Sequence, residues 1–120
     1  MRLPAIRLPA TLALLFAAGA TPALAHHGWG SYDSASLLTL SAPILEANYQ
    51  FPHSDIVIEV EGQRWHVILA PPSRMERRGI AGGELAVGTE VTVEGYPSTA
   101  EPGELRAERI TLNGRTVELR

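Results

Sequence analysis

Cysteine is absent from the 120 residues, and so is lysine. Without cysteine the chain has no disulfide staple, no thiolate metal ligand and no lipid attachment through an N-terminal cysteine. Any metal site must therefore be made from imidazole, carboxylate, or backbone and terminal nitrogen. Aromatic residues are few, two Trp, three Tyr and two Phe, so the core must be built mainly from aliphatic side chains. The one extended apolar run, Leu8 to Ala20, is interrupted and shorter than the roughly 20 residues a membrane helix needs.

That run has the layout of an export signal. Arg2 and Arg7 precede it, Thr21-Pro22 breaks it, and Ala23-Leu24-Ala25 supplies a small-x-small cleavage site. An uncleaved anchor is the alternative. No Arg-Arg pair precedes the run, which favours the general secretory route over the twin-arginine one. The expected organisation is a signal peptide at 1–25, an N-terminal arm at 26–36 and a single domain at 37–120, located in the periplasm with no stable membrane span after cleavage. The mature part carries thirteen acidic residues against eight arginines, a formal charge of −5. Such a surface repels phosphate backbones and argues against nucleic acid as partner.

A cut after Ala25 places a free α-amine on His26, with the imidazoles of His26 and His27 beside it. Nitrogen donors in a roughly square arrangement suit Cu(II), which heads the divalent affinity order. His53, stiffened by Pro52 before it, is the candidate additional ligand, and an eleven-residue arm spans about 36 Å when extended. The expected cofactor is thus copper or a similar divalent ion held by His26, His27 and His53. The competing reading takes the two N-terminal histidines as a processed end and His53 as a strand-end residue bonded to backbone. Trp29 and Tyr32, within an aperiodic Gly/Ser/Asp stretch, are read as docking the arm onto the domain or contacting a ligand.

From residue 37 onward the pattern is β. Leu38, Leu40, Ala42 and Ile44 alternate with polar or small residues, then the phase flips to Leu45, Ala47, Tyr49 and Phe51, as a bulge or sharp bend after Pro43 would produce. A two-residue turn at Glu61-Gly62 pairs Val60 with Gln63, Ile58 with Trp65 and Ile56 with Val67. It puts Ile56, Ile58, Val60, Trp65, Val67 and Leu69 on one face and turns His66 outward, beside Val57. Ser73-Arg74-Met75-Glu76 has the spacing of a capping box, so a helix is expected over about 73–79, ended by Gly79, with Arg77 and Arg78 at a solvated end. Thr89, Val91 and Val93 open the next strand. Leu105 and Ala107 lie on one phase and Ile110 and Leu112 on the other, which predicts a bulge near Glu108-Arg109. Asn113-Gly114 is a hairpin turn returning through Val117 and Leu119. The order of elements predicts an all-β domain with one short helix, a small five- to six-stranded OB-like Greek-key barrel closed or nearly closed over 37–119, with a short sandwich as the alternative.

Ala25-His26-His27-Gly28-Trp29, Phe51-Pro52-His53-Ser54, Trp65, Ala70-Pro71-Pro72-Ser73-Arg74 and the Gly-Thr-Glu-Val-Thr-Val strand together resemble a family of small exported bacterial proteins of unknown function. Its members carry a mature His-His start followed by a small residue and a later Pro-His. Phe51 stands where Asn often precedes Pro-His. The resemblance implies compartment and fold and leaves activity open. The expected function is a periplasmic binding protein for copper or another divalent metal. The alternative is a non-enzymatic interaction module that holds a protein, sugar or small ligand on the barrel face. No nucleophile elbow or HExxH-type motif speaks for an enzyme.

Overall fold

Two type I′-like turns organise the chain. Glu61 and Gly62 have φ of 52° and 77°, and Asn113 and Gly114 have 49° and 75°. This left-handed backbone matches the twist of the strands it joins. In the computed structural model, which describes residues 2–5 and 28–120, these turns connect β3 (Asp55–Val60) to β4 (Gln63–Ile68) and β6 (Glu104–Leu112) to β7 (Arg115–Glu118). The β3–β4 register is Val60 to Gln63, Ile58 to Trp65, Ile56 to Val67 and Val57 to His66, as the apolar pattern predicts.

The remaining strands are β1 (Leu38–Pro43), β2 (Glu46–Asn48) and β5 (Glu90–Pro97), and the one α-helix is α1 (Pro72–Arg77). All strands belong to one seven-stranded sheet of order β1-β5-β6-β4-β3-β2, with β7 added along β6. The pairings are antiparallel except β4 with β6, where His66, Val67 and Ile68 run parallel to Glu104, Leu105 and Arg106. Seven strands replace the expected five or six because the phase flip after Pro43 divides one long strand into β1 and β2. Buried Ile44 sits at the joint. Its N–H donates to the Thr89 carbonyl at 2.9 Å, while the Leu45 N–H donates to the Val57 carbonyl at 2.8 Å.

The second flip is a β-bulge. Glu94 faces Arg109 and Gly95 faces Ala107, so Glu108 is the extra residue on β6. Leu105 and Ala107 before it and Ile110 and Leu112 after it are all buried. They share a core with Ile44, Ile56, Ile58, Val67, Leu69, Met75, Ile80, Val91, Val93, Val117 and Leu119. Beside the bulge β5 and β6 come very close. A Cβ on Gly95 would lie 2.2 Å from the Arg106 carbonyl oxygen and 2.8 Å from the Ala107 Cα.

Three expectations are corrected. The helix begins at Pro72, one residue early, and no side chain caps it. Proline lacks an N–H and has its φ preset for the first helical position, so it displaces Ser73 from the role of cap. The Glu-to-backbone bond forms further on, where Glu84 accepts from the Ala81 N–H at 2.9 Å. Phe51 and Leu45 do not follow Ala47 and Tyr49 inward: β2 ends at Asn48, and Phe51 is 84% exposed and Leu45 40%. Trp65 is half-buried against the core, whereas its partner Ile58 is fully buried. Tyr49 ties β2 to the helical segment by donating to the carbonyls of Ile80 (2.9 Å) and Pro72 (3.2 Å).

Two substitutions test this packing by urea unfolding. Gly95→Ala should cost about 3 kcal/mol, the upper end of overpacking penalties, because the clashing atoms are backbone. Ile58→Ala should cost about 2 to 5 kcal/mol, and Trp65→Ala less than Ile58→Ala, since part of the indole already meets water. A mild Gly95→Ala would contradict the bulge.

Candidate functional site

Side chains on the outer face of β3, β4 and β6 follow from the register. Val57, His66 and Glu104 form one cross-strand row, and Asn48, Asp55, Ile68, Arg106 and Tyr96 form the next. His66 is therefore diagonal to Asp55 and directly opposite Glu104. Its Nε2 lies 3.5 Å from Asp55 Oδ1 and its Nδ1 lies 3.8 Å from Glu104 Oε1. Asp55, buried in the sheet, also accepts from Asn48 Nδ2 at 2.8 Å. His66 does point outward, but into a carboxylate pair and not onto a bare surface. The alternation of β3 and β4 placed it outward; its acidic neighbour Glu104 comes from a parallel pairing that no local pattern announces.

The arm lies over this face. Tyr32 bridges to Ser98 beyond the end of β5, the Asp33 N–H donates to the Pro97 carbonyl at 2.9 Å, and the Tyr32 hydroxyl donates to Glu104 Oε2 at 3.0 Å. Trp29 meets Tyr96 edge-on, with centroids 6.1 Å apart. The guanidinium carbons of Arg106 and Arg120 stand 4.7 and 4.4 Å from its ring centre. Each such contact is worth about 0.5 to 1 kcal/mol when exposed and more when desolvated.

His53 lies in the loop between β2 and β3. It lines a cavity of about 210 Å³ with Pro52, Pro71, Arg74 and Arg106. The cavity joins three elements: the 52–53 loop, the start of α1 and the outward side of β6. Arg74 donates to the Leu119 carbonyl at 3.3 Å and has no carboxylate partner among the described residues. The neighbouring Ser54 is fully buried. His26 and His27 lie outside the described residues, and among the described residues no group of three or more His, Asp or Glu side chains could hold a metal ion.

Sequence reasoning reached His53 and missed Arg74 and Arg106. Arg74 was hidden inside an apparent capping box. Arg106 alternates with Leu105 and Ala107, which places it outward, but only the parallel register with Ile68 brings it to His53's side of the sheet.

A family profile described as a family of unknown function, DUF6152, matches residues 13–105. The chain belongs to DUF6152. The matched span includes His53, Arg74 and Glu104 and ends one residue before Arg106. No curated protein matches the chain.

Within this DUF6152 chain, Tyr32 offers a pH test of arm docking. Burial is the main cause that pushes its hydroxyl up to about 12, followed by the hydrogen bond to Glu104 and that carboxylate's charge, with Arg106 opposing. A folded-state value above the unfolded value of about 10 means that the folded chain holds the proton more tightly. The associated stability is complete below pH 10 and is lost as pH rises from about 10 to about 12. Urea midpoints of the wild type should fall through that window more steeply than those of Tyr32→Phe. Parallel curves would show that Tyr32 is not coupled to folding.

Proposed function

We propose that the mature chain is an exported, non-enzymatic binding module, an OB-like barrel with the cleft at His53, Arg74 and Arg106 as its ligand site. The barrel reading is supported by the two ends of the sheet path, β1 and β2, being consecutive in the chain and joined through Ile44-Leu45. It is supported also by the parallel β4–β6 pair and by the helix lying between β4 and β5. Export is supported by the basic start, apolar run and Ala-Leu-Ala of residues 2–25.

The observation that carries the reading is the convergence of the loop, helix and strand on one cavity large enough for a small molecule. The nearby outer-face histidine does not argue for hydrolysis. Both nitrogens of His66 face carboxylates, at 3.5 and 3.8 Å, and among the described residues no hydrogen bond joins its imidazole to a serine hydroxyl.

Copper at the mature N-terminus is the second reading. What favours it is the chemistry of the mature start, where a free α-amine would stand beside two imidazoles, nitrogen donors that suit Cu(II). His53 is a poor third ligand in this picture, because two guanidinium groups share its cleft and disfavour a divalent cation.

Mass spectrometry of the secreted protein should give His26 as the first residue. A thermal-shift panel of Cu(II), neutral sugars and small organic anions should then yield at least one ligand that stabilises the fold. The expected gain is about 2.7 kcal/mol at a hundredfold excess over Kd. Copper binding with the same paramagnetic-resonance spectrum in wild type, in His53→Ala and in a variant with one alanine before His26 would mark a generic terminal adduct. A panel without any stabilising ligand would end the binding-module reading.

A further inference from the structure

We infer that the cleft selects a small organic anion, a carboxylate carried on a short carbon stem. This deepens the binding-module reading and rests on the cleft being its ligand site.

Charge is the first argument. The cavity is lined by an imidazole and two guanidinium groups, and no carboxylate is among its lining residues. Arg74 in particular has no carboxylate partner among the described residues, in a chain with thirteen acidic residues. The planar guanidinium fork matches a carboxylate with two parallel N–H···O bonds, and these are stronger than neutral hydrogen bonds. Arg74 is held by the Leu119 carbonyl, and Arg106 is braced against the Trp29 ring. Each has little side-chain freedom left to lose on binding, which lowers the entropic cost of ordering it around a ligand.

Size is the second. A volume of about 210 Å³ lies below the roughly 300 to 1,000 Å³ of pockets that bury drug-sized ligands, so the cleft suits a smaller molecule.

The walls are the third. Pro52 and Pro71 also line the cavity, and their side chains are apolar ring methylenes. A bare inorganic oxyanion gains nothing from them, while a hydrocarbon stem exchanges water for apolar contact at about 25 cal/mol per Å².

The experiment is a nuclear magnetic resonance titration of protein purified from cells expressing the full chain, with the His53 ring protons as reporter. Four probes are used at constant ionic strength: succinate, its neutral analogue succinamide, inorganic phosphate and sulfate. Succinate should give a saturable His53 shift, phosphate and sulfate should bind more weakly, and succinamide should give no shift. Arg74→Gln and Arg106→Gln should each weaken succinate by about tenfold or more, the loss of a hydrogen bond to a charged group. Arg77→Gln, on the same helix but away from the cleft, should change nothing.

Arg106→Gln also removes the contact with Trp29, so a melting curve accompanies it. If that variant unfolds, Arg74→Gln carries the test. Phosphate or sulfate as tight as succinate would overturn the requirement for a stem. Succinamide as tight as succinate would overturn recognition by charge, and no saturable shift with any of the four would overturn the anion class. A sugar or metal from the thermal panel that moves His53 when succinate does not would leave the cleft standing as a ligand site and reject the ligand named here. If nothing moves His53, the cleft itself is not the site.

Discussion

The approach of β5 to β6 at Gly95 is the constraint on which both core and cleft depend. No side chain fits between Gly95 and the Arg106 carbonyl, and only that closeness lets β6 carry an extra residue at Glu108 while keeping β5 paired on both sides of it. The extra residue reverses the phase of β6. Leu105 and Ala107 can then share the core with Ile110 and Leu112, while Glu104 and Arg106 remain on the outer face. A regular strand with the same sequence would send Ile110 and Leu112 outward, at a loss of roughly 1.5 to 3 kcal/mol for each exposed side chain.

The acidic composition and the basic cleft are reconciled by segregation. Glutamates pair with arginines around the periphery of the sheet, and such exposed pairs contribute about 1 kcal/mol or less. The cleft, by contrast, has basic side chains and no carboxylate among its lining residues, although residues 28–120 carry a formal −5.

Local signals made much of the fold legible. Glu61-Gly62 and Asn113-Gly114 fix their hairpins by turn chemistry, and the apolar alternation around Ile58 leaves only one register that buries it. The phase flips at Ile44 and Glu108 are visible for the same reason, since a strand that buries one face cannot change phase without a bend or an extra residue. The start of the helix was misread because Ser73 and Pro72 both suit a helix N-terminus, and the rigid ring prevailed. The site was less legible because it is assembled by residues far apart in the chain. Arg74, Arg106 and His53 carry no shared motif, and nothing near Arg106 in sequence states that it will run parallel to Ile68. The arm was legible only as aromatic residues in a loop, while its partners Ser98, Glu104 and Tyr96 come from the far end of the chain.

The parallel joining of β4 to β6 also sets an order in time. It brings His66 to Glu104 and Ile68 to Arg106, pairs separated by 38 positions, whereas the hairpins on either side close over two. Each doubling of a closed loop costs only about 0.6 kcal/mol, but no contact rewards the search until both strands exist. The hairpins β3–β4 and β6–β7 should therefore form before they meet, and the cleft would be the product of that meeting. On this hypothesis substitutions at Arg106 give folding φ-values near zero, and high values there would refute it. An occupant of the cleft would then slow unfolding and leave the rate of folding unchanged, lengthening the life of the native protein without helping to make it.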